Sequence, residues 1–231
     1  MLSVIRSIAI WGDSILKGVL FNPEKCKYTL LKENCASLVA QRLGLNLTNR
    51  SIMGRTIRQG HASLDSDLEN GRFGDIAIIE FGGNDCDFNW GEISQAPGAS
   101  HSPKTPLDVF EAQLRSMIEA VREKGIQPLL MTLPPLHAQR YFDFVTRGLN
   151  ADNVLSWLGG DVQMIYRWHE RYSNAVMRIA SETSSRIVDI RDAFLSQWNY
   201  ADLLCADGIH PNAKGHRCMA DAFCAYADSI E

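Results

Sequence analysis

Ser7-Ile-Ala-Ile-Trp-Gly-Asp-Ser-Ile-Leu-Lys-Gly18 decides how the chain is read. Four apolar residues, Ile8 to Trp11, run into Gly12-Asp13-Ser14 and then into the start of a helix. This pattern predicts a buried strand that ends by handing a hydroxyl to the next loop. In open α/β sheets ligands sit outside the carboxyl ends of the strands, so Ser14 stands where chemistry is placed. Taken alone, the same tripeptide fits a plain turn.

Outward from this stretch, short β-rich runs alternate with longer helical ones, which argues a parallel sheet with crossover helices. The predicted strands are Ile8 to Trp11, Asn46 to Thr48, Asp75 to Phe81, Pro128 to Leu133 and Arg186 to Ile190. Asn34 is placed to cap a helix that reaches Leu43 and stops at Gly44. Thr56 to Leu68 is a second helix, and Thr105-Pro106 starts a third, with Thr105 as cap, that ends at Gly125. Val162 to Glu182 is a long helix with Ile165, His169, Tyr172, Val176 and Ile179 on one face, where His169 reads as a hydrogen-bonded packing residue. Lys214 to Asp228 is the last.

Two connections are longer than the fold needs, 86–104 and 136–161, and both carry aromatic residues: Phe88 and Trp90 in the first, Tyr141, Phe142, Phe144 and Trp157 in the second. Loops of this length in a compact domain tend to be functional. They are expected to fold over the site, with Phe88, Trp90 and Phe142 as walls of a substrate pocket.

The 231 residues are expected to form one domain, and 45% hydrophobic with 22% charged residues is an ordinary globular balance. A net charge of -4 without basic clusters gives no electrostatic footprint for nucleic acid or an anionic membrane. The apolar run near the N-terminus is too short for a signal-peptide core or a span, so a cytoplasmic protein without membrane insertion is expected. Cys26, Cys35, Cys86, Cys205, Cys218 and Cys224 show no paired spacing, and free thiols follow. The six histidines lack metal-ligand spacing, so no metal site is indicated. Nothing in the sequence speaks to oligomeric state.

Candidate chemistry gathers after the predicted strands. Phe81-Gly82-Gly83-Asn84-Asp85 combines glycines that admit close backbone approach with an amide donor, though it also suits a tight turn. Asn49-Arg50-Ser51-Ile52-Met53-Gly54 ends on a glycine with an unscreened N–H. Asp207-Gly208-Ile209-His210-Pro211 sets a carboxylate three residues from an imidazole, close enough to hold one ring nitrogen and leave the other as a base.

In order and placement, these four blocks resemble the SGNH hydrolases, also called GDSL esterases and lipases, across Ile8 to His216. The resemblance implies a three-layer α/β sandwich on a five-stranded parallel sheet in flavodoxin-like order 2-1-3-4-5. It implies Ser14 as nucleophile, His210 and Asp207 as the rest of a triad, and Gly54 and Asn84, beside the Ser14 N–H, as oxyanion donors. Asp13, from the same motif, is a candidate substrate contact. Ile15 stands where the family name has leucine, and Ser51 where many relatives have glycine.

Elementary chemistry agrees. A serine hydroxyl needs an adjacent base to attack at neutral pH, and charge growing on an ester carbonyl oxygen needs preorganised donors. No metal or organic cofactor is required. Without Gly-x-Ser-x-Gly the α/β-hydrolase fold is disfavoured, and without His-x-His or Asp-x-His a dinuclear phosphatase is too. The sequence predicts a serine esterase acting on small-molecule esters of small or medium acyl groups. An acyltransferase with the same triad and a non-catalytic binding module on the same fold are the alternatives.

Overall fold

The computed structural model describes residues 5–71 and 73–230; the first four residues of the N-terminal stretch read for a targeting signal lie outside them. In chain order come β1 (Ser7–Trp11), the one-turn helix α1 (Ser14–Lys17), β2 (Val19–Asn22), β3 (Lys27–Leu30), α2 (Cys35–Leu43), β4 (Asn46–Asn49) and α3 (Ile57–Glu69). Next are β5 (Ile76–Ile79), α4 (Trp90–Gln95), α5 (Leu107–Glu123), β6 (Gln127–Met131), α6 (Ala138–Val145) and α7 (Ala151–Trp157). The chain continues with α8 (Gln163–Glu182), β7 (Arg186–Val188), α9 (Ile190–Leu195) and α10 (Ala213–Ser229).

Five strands form one sheet in the order β4-β1-β5-β6-β7, every pair parallel. Counted within the sheet this is 2-1-3-4-5, the flavodoxin-like order. Strand residues alternate between two cores, as a two-residue period requires. Ala9, Trp11, Ala77, Ile79 and Leu130 face the core covered by α3, α5 and α8, whereas Ile8, Ile10, Ile78, Leu129 and Met131 face the one covered by α2, α9 and α10.

Helix ends follow local chemistry. Asn34 Oδ1 accepts from Ser37 N at 3.1 Å, and Gly44, at φ +65°, ends α2. Thr56 and Gln59 form a capping box on α3. Thr105 does not cap α5. That role falls to Pro106, because the Thr105 N–H is drawn into the loop to Asp85 O at 3.0 Å.

Two expectations need correction. The antiparallel hairpin β2–β3 went unpredicted, although Asn22-Pro23 between Val-Leu-Phe and Tyr-Thr-Leu is turn chemistry between two β-prone runs. The segments 86–104 and 136–161 are not plain loops: they hold α4, α6 and α7. Ser94 Oγ accepts from Asn150 N at 2.8 Å and Asn153 Nδ2 donates to Ser94 O at 2.7 Å, tying the two segments together. All six cysteines are free, and among the described residues no helix is long and apolar enough to cross a membrane.

Candidate active site

Ser14 opens α1 directly after β1, and Asp13 caps that turn by accepting from Ile15 N at 2.8 Å. Glycine at position 12 lets the Glu80 carboxyl sit close, since a Cβ there would stand 2.7 Å from Glu80 Oε2. The partner to Ser14 comes from the far end of the chain. His210 Nε2 lies 2.9 Å from Ser14 Oγ, and His210 Nδ1 lies 2.6 Å from Asp207 Oδ2. Asp207 is fully buried and also accepts from the His210 and Ile209 N–H groups at 3.2 and 3.3 Å. Its turn is seated on the start of α6: His137 N donates to Gly208 O at 2.7 Å. Gly208 has φ +77°, and a Cβ there would come within 2.7 Å of Tyr141 N, so no other residue fits.

Gly54 and Asn84 border the same cavity as Ser14 and His210. The Asn84 amide donates one N–H to Asp13 Oδ2 at 2.9 Å, which fixes its plane and leaves the second N–H for the cavity. Asp85 accepts from Ile57 N through both oxygens, at 3.0 and 3.2 Å, and so ties the Asn84 loop to the start of α3 just beyond Gly54. Gly54 itself has φ +77°, a left-handed conformation that favours glycine. Asn49 completes the frame by donating to Leu16 O and accepting from Ser51 N, at 2.8 and 2.9 Å.

Asp13 borders the cavity, but both its oxygens are engaged, one by Ile15 N and one by Asn84, which makes it a support of the site. Its neighbour Glu80 was not anticipated. Glu80 is 3% exposed and accepts from Asp13 N at 3.1 Å. A carboxylate closing the apolar run Ile76-Ala-Ile-Ile79 is itself a signal, because buried acids are rarely left without a task.

The cavity has a volume of about 240 Å³, and its apolar walls are Tyr28, Met53, Leu133, Pro134, Tyr141, Phe144, Val145 and Ile209. Tyr141, Phe144 and Val145 share one face of α6, spaced i, i+3, i+4. Phe142 lies about 100° around the helix from Tyr141 and is buried among Phe88, Trp90 and Val154 without bordering the cavity. The expectation that Phe88, Trp90 and Phe142 wall the cavity is therefore corrected. Phe88 packs on Trp168 and Trp157, with ring centroids 4.6 and 5.0 Å apart. Trp90 Nε1 donates to Asp87 Oδ1 at 2.8 Å, the same oxygen that Tyr141 Oη reaches at 2.8 Å. These residues support the wall from behind. Tyr28, from the unpredicted hairpin, contributes to the front: its ring is 5.2 Å from the His210 ring, and Phe21 and Phe144 pack edge-on against it.

Comparison with known proteins identifies the family. The family model of the GDSL-like lipase/acylhydrolases matches residues 10–218. The chain belongs to this family. Membership places it among the carboxylic ester hydrolases. An acetylxylan esterase of Geobacillus stearothermophilus is 28% identical over 189 residues, covering 80% of this chain and 73% of that protein. In fold, this family member resembles LAE5, an α/β hydrolase enzyme from the metagenome of Lake Arreo (TM-score 0.69, 19% identity, 100% and 98% of the two chains). It also resembles a lipase/acylhydrolase from Enterococcus faecalis (TM-score 0.68, 17% identity, 98% and 97%).

Burial pushes the Asp13 carboxyl up to about 6, and burial followed by the Asp13 charge drives Glu80 well above the usual carboxylate range. A folded-state pKa above the unfolded one means that the native chain holds its proton longer. The pair's stabilisation is thus full below about pH 4, where unfolded carboxylates still bind protons, and is lost as pH rises through about 6. Glu80→Gln mimics the protonated acid, its carbonyl still accepting from the Asp13 N–H. Melting temperatures of both proteins from pH 4 to 8 should show the variant gaining on wild type as pH rises; a constant difference would contradict buried acids that hold their protons longer in the folded chain.

Proposed function

We propose that the protein is a serine esterase that removes small or medium acyl groups through an acyl-enzyme, with Ser14, His210 and Asp207 as its triad. The supporting observation is the unbroken chain from Ser14 Oγ to His210 Nε2 at 2.9 Å and from His210 Nδ1 to Asp207 Oδ2 at 2.6 Å. His210 takes the Ser14 proton as Oγ attacks the ester carbonyl carbon, and Asp207 holds the ring in the tautomer that leaves Nε2 as base. Negative charge on the carbonyl oxygen is met by the Ser14 and Gly54 N–H groups and the free Asn84 amide proton. His210 then protonates the departing alkoxide, and water repeats the cycle on the acyl-enzyme. The substrate is a small-molecule ester, and the catalytic unit is one domain whose α4 and α6–α7 segments back the pocket.

Acyl size is argued from the cavity. About 240 Å³ falls below the roughly 300 to 1,000 Å³ of pockets that engulf drug-sized ligands, which suits a short acyl chain with part of its alcohol. The acetylxylan esterase relative supports acetyl esters of sugars as the first substrates to try.

Intact-mass analysis after a fluorophosphonate probe tests the nucleophile: wild type gains one adduct and Ser14→Ala gains none. Equal labelling of both would overturn the triad. Asn84→Ala should lower kcat about 10²- to 10³-fold, the usual effect of losing one oxyanion donor; a kcat within tenfold of wild type would remove Asn84 from the oxyanion site. In a series of acetyl to octanoyl 4-nitrophenyl esters, Phe144→Ala should shift kcat/KM toward longer chains. Trp90→Ala should instead lower the melting temperature and leave the chain-length ranking as it is. A reversed result would return the wall to Trp90.

A further inference from the structure

Helix α8 brings to the cavity a histidine that the catalytic reading leaves unused. His169 is 3% exposed and borders the same cavity as Ser14 and His210. Arg191 Nη1 lies 3.4 Å from its Nδ1. A guanidinium only donates, so Nδ1 accepts and the neutral ring carries its proton on Nε2. Burial and then the Arg191 charge keep the ring neutral, its pKa well below the usual histidine value. Packing for its own sake would leave both nitrogens satisfied or sealed. Among the described residues, Nε2 has no hydrogen-bond partner and is not among the sealed polar atoms, so it opens on the cavity.

The arrangement is held from behind. Arg191 Nη1 also donates to Leu133 O at 3.1 Å, its backbone N–H donates to Thr132 Oγ1 at 2.8 Å, and its guanidinium pairs with Glu170 and lies 5.0 Å from the Tyr166 ring centre. Turning the ring over would bring Cδ2–H to Arg191 in place of Nδ1 and forfeit that contact. Asp87, the nearby acid on the cavity wall, has its oxygens engaged by Trp90, Tyr141 and Lys104, at 2.8 Å each. Within a wall of Leu133, Pro134 and Ile209, His169 Nε2–H is thus a fixed donor without an acceptor.

We propose that His169 is a specificity-determining residue whose Nε2–H donates to an oxygen that the substrate carries beyond its reacting ester, so that the enzyme selects oxygenated esters over alkyl esters of equal size. The proposal rests on the esterase reading above. A buried donor left unpaired by an alkyl chain costs more than the bond gains when it is made, which is why such a site discriminates by rejection. Two parts of an ester can supply the oxygen, the acyl chain or the alcohol, and a hydroxylated sugar belongs to the second kind.

The test compares kcat/KM within isosteric pairs, each corrected for its rate of alkaline hydrolysis. 4-Nitrophenyl methoxyacetate against 4-nitrophenyl butyrate probes the acyl side, and 2-methoxyethyl acetate against butyl acetate probes the alcohol side. Wild type should favour the oxygenated member of one pair by about five- to tenfold, the worth of one neutral hydrogen bond. His169→Leu should abolish that preference and His169→Gln, which keeps a donor, should restore part of it. If the variants fold poorly, the wild-type ring is read by NMR: the Nε2–H resonance shifts with methoxyacetate or 2-methoxyethanol and not with butyrate or butanol. No preference in either wild-type pair, a preference that survives in folded His169→Leu, or an unmoved resonance overturns the proposal. Hydrolysis of 4-nitrophenyl acetate by Ser14→Ala at the wild-type rate would instead mean that the esterase reading has failed.

Discussion

The bond from the Asp13 backbone N–H to the Glu80 carboxyl crosses from the end of β1 to the end of β5. Those two strands flank the switch point of the sheet, where helices depart to opposite faces and leave a crevice. Backbone pairing sets the register of β1 and β5, with Glu80 N donating to Trp11 O at 3.0 Å, and the Glu80 side chain carries the tie beyond the strand end into the loop that holds Ser14. Through it Asp13 is placed, through Asp13 the turn carrying Ser14 is capped and the Asn84 amide is oriented, and Gly12, without a side chain, lets the carboxyl approach. Two acids buried in contact oppose folding once both ionise, so the molecule accepts a local instability to fix the geometry around its serine.

Much of this was legible in the sequence, for a physical reason. The sheet strands follow from apolar runs alternating with capped helices, their order from the family resemblance, and the Asn34 and Gly44 ends of α2 fall where side-chain chemistry puts them. Ser14, Gly54, Asn84, Asp207 and His210 could be named because the four short blocks that carry them resemble, in order and spacing, those of the SGNH hydrolases. The cavity walls were not legible in that way. Phe88, Trp90 and Phe142 are as aromatic as Phe144 and Tyr141, and only the helical phase of α6 and the burial of its neighbours decide which rings meet the cavity. Tyr28 was out of reach for a second reason: its strand, β3, is exposed at all four positions and carries no alternating apolar face to betray it. His169 shows the same limit, since its spacing on α8 matched core positions while one ring nitrogen faced outward.

The walls and the base are not separate parts. Tyr28 touches Phe144 on one side and His210 on the other, and Arg147 lies over the Phe21 and Phe144 rings, 5.7 and 5.0 Å from their centres. A substitution made to enlarge the acyl pocket therefore also loosens what the imidazole leans on. On the proposed mechanism, changes in acyl preference and in turnover are coupled through one aromatic cluster.

The bond between Ser14 and His210 spans 196 positions of the chain. Closing a loop that long adds only a slowly growing entropic cost, but it orders events in time. At roughly 5 to 20 residues per second of synthesis, the hydroxyl leaves the ribosome at least ten seconds or so before its base exists. If Ser14 and His210 act as proposed, the serine stands for that interval on a chain with nothing to activate it, and hydrolytic competence waits for the segment beyond β7 that carries Asp207 and His210.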